Sequence, residues 1–155
     1  MRGNNREDMK LSTKARYALR AMLELSLREG DGPVQLRRIA RAQDISFKYL
    51  EQLAIPLRNA GLARSERGPA GGYELASPAV AITALDVVQA VEGPMDLLDC
   101  LGRSGVCDRA DACAARSLWG RVSSAIADVL RETTLADLRD AQREADTGAT
   151  FCYQI

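Results

Sequence analysis

The chain has 155 residues, 46% hydrophobic and 27% charged, with no histidine, so it can bury a core without disulfides. Lacking imidazole, it has no Ser-His-Asp or Cys-His nucleophile system, no histidine acid–base catalyst and no zinc site that needs a histidine ligand. The net charge of zero hides an asymmetry: residues 1–75 carry 14 Lys+Arg and 9 Asp+Glu, whereas residues 76–155 carry 7 and 12.

No apolar run approaches the ~18 residues of a membrane span. The opening MRGNNREDM also lacks the apolar stretch of a signal peptide. A cytoplasmic protein with no membrane partner is therefore expected. There the four cysteines stay reduced and are expected to bind metal or do redox work.

In chain order, residues 1–9 read as a flexible N-terminal extension. Ser12 and Thr13 cap a first helix that runs to about Arg28, with Tyr17, Leu19, Met22, Leu23, Leu25, Ser26 and Leu27 on its apolar face. Glu29-Gly30-Asp31-Gly32-Pro33 is a stop and turn. Leu36, Ile39 and Ala40 are the inner side of a short second helix ending near Gln43. Asp44-Ile45-Ser46 forms the next turn, with Ser46 as N-cap.

A third helix spans Phe47 to Asn59, with Tyr49, Leu50, Leu53, Leu57 and Ala60 falling inward. Pro56 is expected to bend it or weaken its last turn, and Gly61 supplies a left-handed stop. Leu62 to Arg67 reads as a strand, Gly68 to Gly72 as a tip, and Tyr73 to Leu75 as the returning strand. Two helices with a tight turn and a glycine-rich hairpin make a winged helix-turn-helix, whose main physical use is to set one helix in a DNA major groove.

On that third helix Ser46 and Lys48 suit phosphates, Gln52 an adenine edge and Glu51 a cytosine amino group. Arg67 is placed to enter the adjacent minor groove. The candidate DNA-contacting set is Ser46, Lys48, Tyr49, Glu51, Gln52 and Arg58, with Arg67, Gly68, Pro69 and Gly71 of the wing.

Thr83 caps a short helix, Ala84 to Val91, stopped by Gly93-Pro94. Residues 95–115 read as a loop held by something other than a core, and Cys100, Cys107 and Cys113 lie in it. A long amphipathic helix follows from about Ser117 to Glu132, with Leu118, Val122, Ile126, Val129 and Leu130 on one side. Leu118 and Trp119 are expected to pack between it and the loop. Thr133 to Leu138 begins a last helical piece, and the tail 150–155 stays unassigned.

The stretches Lys10–Arg20, Ile45–Gln52 and Arg67–Tyr73, followed by Val91–Pro94, Leu118-Trp119 and Thr133–Leu135, resemble the winged-helix repressor family that includes IscR, NsrR, RirA and CymR. The likeness runs from Met9 to Leu138. It implies a homodimer held by the long C-terminal helix on a two-fold symmetric, double-stranded DNA operator.

Three thiols without histidine suit an iron–sulfur cluster better than zinc, which wants a fourth strong ligand. The spacing Cys100-x6-Cys107-x5-Cys113 is neither the ferredoxin pattern nor a paired zinc pattern. The resemblance sharpens the expectation, since cluster-binding members of the family carry three cysteines in this segment. IscR-like proteins place a histidine three residues after the last cysteine, where Arg116 stands here. NsrR-like proteins use an aspartate of the first helix, matched here by Arg16. The fourth ligand is left open among Asp108, Asp111, Cys152, a partner-chain Asp8 and an exchangeable small molecule, with 2Fe–2S and 4Fe–4S both possible.

The expected fold is mainly α: an extension (1–9), a winged helix-turn-helix domain (10–78), a linking helix (79–94), a cysteine loop (95–115), and a dimerisation helix with tail (116–155). The expected function is a non-enzymatic transcriptional regulator, a repressor sensing iron, redox state or nitric oxide through its cluster. A cluster-free repressor answering a protein or metabolite is the alternative, and an electron-transfer or cluster-delivery protein comes third.

Overall fold

The computed structural model of the chain describes residues 12–152 except 103 and 106, and only the backbone of 99, 110 and 149–152. Helix α1 (Thr13–Leu27) is free of glycine and proline and starts at Ser12, whose hydroxyl accepts from the Ala15 amide at 3.1 Å. Gly30 and Gly32, at φ +92° and +86°, turn the chain after it. Its buried wall is Ala15, Ala18, Ala21, Met22 and Leu25, while Tyr17, Leu19, Leu23 and Leu27 are only half-buried. The alanines allow close approach of α4 (Ala84–Glu92), which packs Val87, Val88 and Val91 against them. Burying one such valine contributes about 1.5–3 kcal/mol. Lys14 fastens the pair further by donating from Nζ to the Val91 carbonyl at 2.8 Å.

Helix α2 (Leu36–Gln43) ends at Asp44, the one non-glycine residue with positive φ among those described, at +50°. An aspartate tolerates this left-handed turn better than a branched residue would. Ile45 then plugs the corner, 5% exposed, and helix α3 runs Phe47–Asn59. Leu50, Leu53, Ala54 and Leu57 form its inner face. Ala60 is exposed rather than inward, because it caps the helix and leaves the apolar stripe. Ser46 occupies the N-cap position without a side-chain cap bond.

Pro56 does not end α3. The Pro56 carbonyl still accepts from the Ala60 amide at 2.9 Å, and the missing N–H relieves only the exposed Gln52 carbonyl of a partner. Gly61, at φ +72°, makes the left-handed exit.

Strands β1 (Ala63–Glu66) and β2 (Gly72–Leu75) pair antiparallel, Ala63 opposite Leu75 and Glu66 opposite Gly72. Val34 adds a bridge to Tyr73 through two backbone bonds of 2.8 Å. Gly72 is required there, since a Cβ would stand 2.5 Å from the Val34 carbonyl oxygen.

The cysteine segment is more ordered than a plain loop, containing α5 (Asp99–Gly102) and a 3₁₀ turn (Ala110–Ala112). Helix α6 starts earlier than its amphipathic pattern suggests, at Ala114, and runs to Glu132. Helix α7 (Leu135–Cys152) continues the last helical piece into the start of the unassigned tail. The α6–α7 joint is stitched to the start of α4. Thr83 bridges Thr134, the Ala84 amide donates to the Thr133 carbonyl at 2.8 Å, and the Leu135 amide to the Ile82 carbonyl at 2.9 Å. Leu135 is fully buried in the same core as Ile82 and Val87.

Candidate nucleic-acid interface and cysteine segment

Inner leucines fix α3 to the core and so leave its other side in solvent. Ser46, Lys48, Glu51, Gln52 and Arg58 are all exposed. Tyr49 differs: it is half-buried, its ring edge-on to Tyr17 at 5.9 Å and 78°. In the wing, Arg67, Gly68 and Pro69 are exposed and Gly71 is half-buried. Gly68 takes φ +110°, and the Gly71 amide closes the tip on the Gly68 carbonyl at 3.0 Å. A Cβ on Gly71 would strike the Glu66 carbonyl, so the tip is thin by necessity.

Behind the helix-turn-helix lies a polar cluster that periodicity did not reveal. Glu24 is 5% exposed, yet accepts from Arg28 Nε at 2.8 Å and from Gln43 Nε2 at 3.0 Å. Gln43 Oε1 accepts in turn from Arg20 Nε at 3.1 Å, and Arg20 also donates to the Gln43 carbonyl. Gln43 directly precedes the left-handed Asp44, so this cluster holds the turn that aims α3.

Helix α2 contributes three exposed arginines, Arg37, Arg38 and Arg41, that lie outside the set drawn from the sequence. Three arginines and no acid in eight residues were a legible signal. The Arg37 guanidinium lies 4.4 Å from the centre of the Phe47 ring, the first residue of α3. On the wing, Arg64 pairs with Glu74 at 2.8 Å, which holds the guanidinium above its ordinary pKa.

Cys100, Cys107 and Cys113 are free thiols, the middle one exposed and the others half-buried. Cys100 sits in α5, and Cys113 is the N-cap of α6. Among the described residues no three Cys, Asp or Glu side chains are gathered closely enough to hold one metal ion. The donor set still suits an iron–sulfur cluster in kind, being three soft thiols on one short segment. Arg116 stands in the first turn of α6 and donates from Nε to the Cys100 carbonyl at 3.1 Å, tying the two ends of the segment together. Asp108 and Asp111 are exposed, and Arg16 is exposed on α1. Asp8 and the Cys152 side chain lie outside the described residues.

Leu118 and Trp119 are 53% and 37% exposed. Between α5 and α6, the Leu101 side chain approaches Gly120. Along α6 no residue is buried, and Leu118 and Val129 are open to solvent. Among the described residues no helix is long and apolar enough to cross a membrane.

Residues 11–141 match the family model Rrf2, described as an iron-dependent transcriptional regulator. CymR of Bacillus subtilis, an HTH-type transcriptional regulator, is 45% identical over 140 residues, covering 88% of this chain and 96% of that protein. IscR of Yersinia enterocolitica, also an HTH-type transcriptional regulator, is 44% identical over 134 residues, covering 86% and 81%. The solved structure of CymR, described as the global cysteine regulator of B. subtilis, superposes with a TM-score of 0.73, covering 86% of this chain and 98% of that one. That of T. potens IscR gives 0.74 at 37% identity, covering 88% and 90%.

Proposed function

The chain belongs to the Rrf2 family of transcriptional regulators, and on that premise we propose that it binds a double-stranded DNA operator as a homodimer and represses transcription from it. The observation that carries this is the exposed polar face of α3 standing beside a thin glycine-rich wing. Ser46 and Lys48 take phosphates at the start of α3. Gln52 and Glu51 meet base edges, Arg58 lies further along the same side, and Tyr49 steadies the helix against Tyr17. Arg67, with Gly68, Pro69 and Gly71, follows the neighbouring groove. The exposed apolar side of α6 supports pairing with a second copy. In this reading 10–78 is the DNA-binding unit, 79–94 the link, 95–115 the sensing segment, 116–155 the dimerisation arm and 1–9 an extension. The relatives are regulators rather than enzymes.

Cys100, Cys107 and Cys113 would hold an iron–sulfur cluster. Such a group, when bound, supplies a redox- and nitric-oxide-sensitive centre. This chain's part is mechanical. A fixed Cys100–Cys113 segment would steady the start of α6, and α6 is welded to α4 at Thr83 and Thr134. Tilting α6 would reset the spacing of two α3 helices, a coupling typically worth ~1–3 kcal/mol. A cluster-free regulator of the same fold is the second reading, favoured by Arg116, which donates to the Cys100 carbonyl and occupies the position where IscR-like proteins carry a ligand histidine.

Anaerobic purification with visible spectroscopy and an iron and sulfide assay decides between them. A coloured protein that bleaches in Cys107→Ala, with altered DNA affinity, is the expected result. A colourless protein that still binds DNA selects the second reading.

A further inference from the structure

Resting on the DNA-binding reading above, we propose that α2 is a phosphate clamp, in which Arg37 and Arg41, one helical turn apart, seat two neighbouring backbone phosphates beside the start of α3 and Arg38 holds the strand on the wing side. Two clefts flank α2. One, of about 270 Å3, is lined by Arg37, Ala40, Arg41, Asp44, Ile45 and Phe47. The other, of about 290 Å3, lies between Arg38 and the wing residues Ala70 and Gly71. Helix α2 therefore borders the start of the recognition helix on one side, through Arg37 and Arg41, and the wing tip on the other, through Arg38.

A duplex with α3 in its major groove and the wing in the next minor groove must run one phosphate strand between them. That strand meets α2. Its arginines are four apart and mutually repulsive at Arg37 and Arg41, with no acid on the helix, and none of the three forms an ion pair among the described residues. Asp44, at the end of the helix, is the acid that shares the first cleft. Arg37 is pre-oriented, its guanidinium seated over the Phe47 ring at 4.4 Å. A guanidinium fixed in this way presents its planar donors to a phosphate with less ordering on binding. Such phosphate bonds carry affinity and register rather than base preference.

The test follows binding of a mixed-sequence fluorescent duplex by anisotropy across a salt series. Arg37→Ala with Arg41→Ala should lower the log–log salt slope by roughly 1.8 per bound protomer, at about 0.9 for each arginine that no longer neutralises DNA charge. Arg37→Lys with Arg41→Lys should keep the slope. Phe47→Leu should weaken binding with the slope retained, since both charges remain. If the double alanine variant proves unstable, Arg41→Ala alone should reduce the slope by about 0.9. A wild-type slope that the alanine variants leave unchanged overturns the clamp while DNA binding stands. A wild-type protein with no salt-dependent duplex binding sinks both.

Discussion

Replacing Glu24 by alanine should destabilise the protein out of proportion to the small volume removed. The carboxylate is 7% exposed at the side chain and accepts two bonds, from Arg28 at 2.8 Å and from Gln43 at 3.0 Å. A bond to a charged group contributes about 1.5–3 kcal/mol and a neutral one about 1 kcal/mol. Arg28 retains 27% exposure, so water can take back its guanidinium and the charged bond belongs at the low end. Gln43 fares worse, because its amide is then left without its buried acceptor while Arg20 still holds its other end. The expected loss is about 2–3 kcal/mol. Urea denaturation at constant slope measures it. A double-mutant cycle with Gln43→Ala should give a coupling above ~0.5 kcal/mol. DNA affinity should fall in both variants, since the same amide sets the turn before α3. A loss below ~0.5 kcal/mol for Glu24→Ala, or strict additivity with Gln43→Ala, would refute the role given to this cluster.

Three further outcomes follow from the same geometry. Gly72→Ala drives a Cβ into the Val34 carbonyl and should open both Val34–Tyr73 bonds, costing about 1–3 kcal/mol by thermal denaturation. Gly148→Ala is the control: its Cβ meets open space on α7, and it should stabilise by ~0.5–1 kcal/mol. At the α6–α7 joint, the Thr134 hydroxyl and then its amide, both donating to Asp137, hold that carboxyl below its ordinary pKa. A depressed folded-state pKa adds stability above the unfolded value and loses it as pH falls through the folded one. Thr134→Val should therefore be less stable than wild type at pH ~6, with the gap narrowing below pH ~4 to what the lost bond from the Asp137 amide to the Thr134 hydroxyl leaves.

The elements that carry regular apolar spacing were readable from the chain. Leu50, Leu53 and Leu57 announce α3 and its exposed side together, and Gly61 its stop. The glycine run announces the wing because no Cβ fits at Gly71 or Gly72. Other parts obey tertiary rules that a single strand of letters does not display. Pro56 reads as a bend or a weakened last turn, yet the Ala60 amide still bonds the Pro56 carbonyl and only an exposed carbonyl loses its partner. Glu24 looks like a solvated charge until α2 brings Gln43 to it from 19 residues away. Ala60 matches the inward spacing yet lies beyond the last turn that faces the core. The cysteine segment was legible as donor chemistry and not as structure, since α5 and the early start of α6 lack strong periodicity. Arg37, Arg38 and Arg41 were visible as charge, but their closeness to both α3 and the wing depends on tertiary contacts such as the Val34–Tyr73 bridge just before α2.

Selection of bound duplexes from a random-sequence pool tests the DNA-reading face most directly. Wild type should enrich a two-fold symmetric sequence, and Gln52→Ala should relax preference at one base pair in each half-site while leaving the others, a change of about 1–3 kcal/mol at that pair. Failure to enrich any sequence, or an unchanged preference in Gln52→Ala and Glu51→Ala alike, would contradict it.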